Sequence, residues 1–114
     1  MLCYAPRMPT NVRFTIGAYN ATLAVRVYDT DEAIPGGDNR TMALTDTTPA
    51  GRVRVHVKRY TPLSTIAHEA VHAALWILWD RGIAVSPDSE EALAYLVGHV
   101  TGLIQQAQRA ARRA

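Results

Sequence analysis

The stretch HEAVH, His68 to His72, holds two imidazoles four residues apart, with a carboxylate directly after the first. On a helix, positions i and i+4 stand above one another on one face. Two imidazole nitrogens so placed reach a single Zn²⁺ at about 2.0–2.1 Å each. Glu69 projects to the side of the pair, where it holds a zinc-bound water rather than the metal. Zinc lowers the pKa of that water, and a carboxylate takes its proton. The pattern therefore encodes two metal ligands, His68 and His72, and one general base, Glu69.

A catalytic zinc needs a third protein ligand and one open position. Glu90 and Glu91 lie 18 and 19 residues beyond His72. Glu91 is preferred on helical geometry. With Tyr95, Gly98 and Gly102 it follows i, i+4, i+7 and i+11 along one face, and the glycines would let that face approach the first helix closely. Glu90 lies about 100° away. A hydroxyl at Tyr95 would stabilise the oxyanion formed when hydroxide attacks a carbonyl, while His99 sits roughly 80° off that face. Competing structural roles exist. The histidines would serve as satisfied polar groups on a helix flank, and Glu91 as the third residue of an Asp88-x-x-Glu91 capping box.

The elements that must position these residues are legible as patterns. RVRVHVK alternates over seven residues, with Val53, Val55 and Val57 on one face and Arg52, Arg54, His56 and Lys58 on the other, as in a half-buried strand. That polar face is expected to meet solvent. TLAVRVY is a second strand by composition. TMALTD and VRFTIGAY are shorter candidates, and Pro35-Gly36-Gly37 and Asp38-Asn39 carry turn chemistry. Thr61-Pro62 reads as an N-cap followed by proline at the first helical position. Helical spacing then runs from Leu63 to Leu78, and Asp80-Arg81-Gly82 ends it. Trp76 and Trp79 are expected in the core or between helices. Ser86-Pro87 repeats the cap-plus-proline device before a second helix.

The expected fold class is α+β: a small antiparallel or mixed sheet of three or four strands packed on the HEAVH helix and a C-terminal helix. A chain of 114 residues fits one domain, 1–114. Residues 1–60 form mainly strands and turns, 61–82 the first helix, and 86–112 the second, with a frayed basic tail. The single cysteine, Cys3, excludes an internal disulfide and a thiolate metal cluster. MLCYAPRMPT lacks an apolar core of signal-peptide length, and AALWILW is far too short for a bilayer. A cytoplasmic location without membrane contact is the expectation. A net charge of +2 gives little reason to expect a nucleic-acid partner.

Two segments, RVRVHVKRYTPLSTIAHEAVHAAL and DSEEALAYLVGHVTGLI, resemble small zincin metallopeptidases of the minimal gluzincin kind encoded by bacteriophages and prophages. The likeness covers roughly residues 52–104. It implies a zincin-like fold, zinc as cofactor, ligands at His68, His72 and Glu91, and Glu69 as general base. The activity implied is hydrolysis of a peptide bond in a peptide or protein substrate. The chain lacks the Asn before the ligand glutamate and the Asp after it that large gluzincins carry. The alternative is a non-catalytic zincin-fold binding or assembly protein, of phage origin, with a structural or vestigial metal site. For an enzyme, the strand Arg52 to Lys58 is expected at the sheet edge, receiving the substrate as an added strand. Its basic face would then favour acidic peptides or, as lysines and arginines on an edge strand more often do, guard the edge against aggregation.

Overall fold

A computed structural model describes residues 9–38 and 40–113. Cys3, the opening segment and Asn39 of the Asp38-Asn39 turn lie outside them. Among the described residues, four strands, β1 (Thr10–Ile16), β2 (Ala21–Tyr28), β3 (Ala43–Thr47) and β4 (Val53–Lys58), precede two helices, α1 (Leu63–Asp80) and α2 (Glu90–Arg113). The fold is α+β, a four-stranded mixed sheet with two helices. Among the described residues, no helix is long and apolar enough to cross a membrane.

The strand order is β1-β2-β4-β3. β1 and β2 form an antiparallel pair, β2 and β4 run parallel, and β3 returns antiparallel to β4. Alternation decides which face is covered. Leu23, Val25 and Val27 of β2 align with Val53, Val55 and Val57 of β4, and all six are buried. α1 packs over the β3–β4 half of this face and α2 over the β1–β2 half. From α1 the core receives Ile66, Ala70, Ala73, Ala74, Ile77 and Leu78; from α2 it receives Leu96, Val100, Ile104, Ala107 and Ala111. Ala70, Ala73 and Ala74, all fully buried, keep the packed flank of α1 slim.

The expected edge position of Arg52 to Lys58 is overturned. β4 lies inside the sheet, and the open edge beside α1 belongs to β3. Period two reports which face is covered and carries no information about a strand's neighbours. His56 is corrected as well. It points to the helix-free face as expected but is buried at 4% exposure. The Tyr28 hydroxyl lies 2.9 Å from Nδ1 and Asp46 Oδ1 3.3 Å from Nε2. An ionised Asp46 only accepts, so Nε2 carries the proton and Tyr28 donates to Nδ1. Burial pushes the His56 pKa down against the pull of the Asp46 charge. Burial also raises Asp46, but the bidentate Arg54 contact at 2.8 and 3.0 Å and the His56 charge outweigh it, and its carboxyl sits below the usual range.

Helix starts differ in detail. α1 begins at Leu63 with Pro62 at the cap, and Thr61 is occupied elsewhere: its hydroxyl accepts from Lys58 N–H at 2.8 Å and donates to the Met42 carbonyl at 2.8 Å. Gly82, at φ +72°, closes α1 as expected, its N–H bonding the Trp79 carbonyl. Before α2, the cap is built from Ser86 and Ser89 around a 3₁₀ turn at Pro87–Ser89. The Asp88–Glu91 box does not form, which leaves the Glu91 carboxylate outside the cap. The basic tail remains helical through Arg113, and Arg112 donates to the Arg59 carbonyl at 2.8 Å.

Candidate metal centre

His68, Glu69 and His72 come together on α1, with ligand atoms all within 4.8 Å of one another. The opposite flank of the helix is buried in the core, so packing fixes the rotation of α1 and turns both histidines outward. Their Nε2 atoms are 3.2 Å apart. Two nitrogens bound at 2.0–2.1 Å to one tetrahedral ion stand about 3.3–3.4 Å apart, so the pair fits Zn²⁺ closely. Their rings meet edge to face at a centroid distance of 4.9 Å. The His68 side chain is 70% exposed and open to a ligand from solvent.

Glu69 is held differently. Its side chain is only 10% exposed, tucked between α1 and β3. The Thr45 hydroxyl donates to Oε1 at 2.9 Å and lies 3.3 Å from the Glu69 backbone carbonyl. Oε2 lies 4.0 Å from His68 Nε2. One carboxylate oxygen is thus fixed to the edge strand while the other faces the histidine pair. Sequence reasoning missed Thr45. The one signal available was a threonine on the helix-facing side of a short strand, where a buried hydroxyl needs a partner.

The third-ligand candidates stand apart. Glu91 is exposed in the first turn of α2 and outside the group of three, and Glu90 is exposed beside it. The expected close approach through the glycines does not occur: a Cβ added at Gly98 or Gly102 would meet nothing within 4 Å. Glu91, Tyr95, Gly98 and Gly102 form the exposed face of α2, whereas Leu96, Val100 and Ile104 form its packed face. Tyr95 is 54% exposed and stacks on His99 at 5.6 Å.

Trp76 and Trp79 are not core residues. They are 43% and 52% exposed and meet edge to face at 5.6 Å. The expected basic substrate strip is also displaced. Arg13, Arg26, Arg52 and Arg54 surround a depression of about 260 Å³ on the helix-free face of the sheet, with Ala24 among its lining residues. That face is the reverse of the one carrying α1, so these arginines do not border the histidines. No protein-family model, curated protein or solved structure matches the chain.

Proposed function

We propose that this chain is a zinc-dependent peptidase with a zincin-like fold. The observation that carries the proposal is the pairing of His68 and His72, Nε2 to Nε2 at 3.2 Å, beside a carboxylate anchored by Thr45. His68 and His72 would hold the ion, with Glu91, which stands outside the group of three, as the proposed third ligand. Bound zinc lowers the pKa of water and polarises a carbonyl. Glu69 accepts the proton of the attacking water on Oε2 and passes it to the departing amine. Thr45 keeps Oε1 occupied, so that Oε2 is the oxygen presented. A peptide pairs with the open edge of β3, which brings its backbone alongside the α1 histidines. Tyr95, stacked on His99, is the proposed oxyanion donor.

Purified Glu69→Gln is expected to retain zinc and lose hydrolysis, and His68→Ala to lose both. Zinc content is measured by elemental analysis and cleavage by mass spectrometry of a peptide library. Full activity in Glu69→Gln would remove the general-base role. The high exposure of His68 supports a second reading, a zincin-fold binding protein with a non-catalytic metal. Zinc uptake without cleavage of any library peptide would select it.

A further inference from the structure

His68, His72, Trp76 and Trp79 occupy positions i, i+4, i+8 and i+11, a single exposed stripe along α1. The stripe runs beside β3 at two points. Thr45 meets Glu69, and Thr47 shares a depression of about 230 Å³ with Gly51, Trp76, Trp79 and Asp80. Thr45 and Thr47 are two residues apart on one face of the strand, so β3 and α1 advance in the same sense, from the histidines towards the tryptophans. Two indoles, each about half exposed, leave a large apolar area in water that a ligand would remove.

We propose that Trp76, Trp79 and Thr47 form a substrate subsite for a large apolar or aromatic side chain, three to four residues before the bond that is cut. The proposal rests on the peptidase assignment, and the register follows from the helix and strand repeats. An ion held by both imidazoles sits midway between His68 and His72, and Trp76 and Trp79 lie six and nine residues beyond that midpoint, about 9 and 13.5 Å along the axis at 1.5 Å per residue. An extended peptide advances about 3.3 Å per residue, which makes three to four residues. A peptide antiparallel to β3, the slightly stronger pairing, runs from the tryptophans towards the histidines. The side chain over the indoles therefore precedes the scissile bond. Asp80 at the rim disfavours an acidic residue there.

The chain has only two tryptophans, so all indole fluorescence reports on this subsite. The zinc-loaded protein is profiled against a random peptide library, and Trp76→Ala and Trp79→Ala are profiled alongside. Phe, Leu, Met or Trp is expected to be enriched at the third or fourth position before the cut. Each variant should lose that enrichment and cut apolar substrates about tenfold or more slowly, at unchanged zinc content. Cleavage without such enrichment, enrichment only after the cut, or an unchanged profile in both variants overturns the subsite and leaves the peptidase standing. If nothing is cleaved, the peptidase assignment fails, and the subsite is judged by fluorescence with an Ala-rich decapeptide carrying one Phe. A saturable spectral shift, absent for the all-Ala peptide, supports it; no shift overturns it.

Discussion

Replacing Thr45 by valine removes one hydroxyl and nearly preserves the side-chain shape. The hydroxyl donates at 2.9 Å to a carboxylate whose side chain is 10% exposed. A hydrogen bond to a charged group is worth about 1.5–3 kcal/mol, and leaving that group unsatisfied in a largely buried place accounts for much of the cost. Valine offsets a few tenths through its preference for strands. Thr45→Val should therefore lower unfolding free energy by about 1–2.5 kcal/mol, a fall in Tm on the order of 5–15 °C for a domain of this size. Circular dichroism during thermal and urea unfolding, in chelator, measures this apart from any metal. Thr47→Val is the matched control on the same strand face, expected within about 0.5 kcal/mol of the parent. In the zinc-loaded protein, Thr45→Val should slow cleavage about tenfold, equivalent to some 1.4 kcal/mol of barrier, with zinc affinity unchanged. If Thr45→Val and Thr47→Val unfold together at the parental midpoint, Thr45 does not hold Glu69 and the assignment of Oε2 as the working oxygen falls.

Other outcomes follow from the same geometry. Because burial holds His56 below the ordinary histidine value of 6.5, the unfolded chain takes up this proton at higher pH than the folded one. The His56 contribution to stability is complete above that value and declines as pH falls through it, levelling once the folded imidazole is protonated. Urea midpoints between pH 8 and 5 should show this slope, and His56→Gln should flatten it. Gly98→Ala and Gly102→Ala should each stabilise α2 by about 0.5–1 kcal/mol, since an added Cβ meets open space; destabilisation in urea titrations would show a covered face. By calorimetry, Glu91→Ala should weaken zinc binding by more than the ~10–100-fold that loss of a merely supporting group costs. Glu90→Ala should leave it unchanged, and the reverse order would exchange their roles.

Local patterns carried the parts of the molecule that are local. Alternation along Arg52 to Lys58 marks the valine face that α1 and α2 cover, and the i, i+4 spacing of His68 and His72 is enough to bring their nitrogens together. Contacts between distant segments left no such trace. β4 became an interior strand because β3 folds back outside it, a matter of topology rather than period. His56 was shielded by Tyr28 and Asp46 from the strands on either side. Thr45 reaches Glu69 across 24 residues of chain. The tryptophans were misplaced for a different reason: large apolar side chains signal burial by composition, but the core flank of α1 was already filled by alanines, isoleucines and Leu78.

The parallel pairing of β2 with β4 makes everything between Tyr28 and Val53 a crossover, and β3 lies within it. All five β3 residues are half-buried, whereas β4 is buried along nearly its whole length. Opening β3 therefore breaks one ladder and spares the β2–β4 centre, so its amides should exchange with solvent well before those of the inner strands. His68 and His72 ride on α1 and keep their spacing through such an opening, while Glu69 loses the hydroxyl that orients it. On the proposed mechanism, the grip on an ion and the aim of the base would thus belong to different cooperative units. Mild denaturant should separate them, abolishing catalysis while zinc stays bound, and a peptide lying along β3 would tie the two units together.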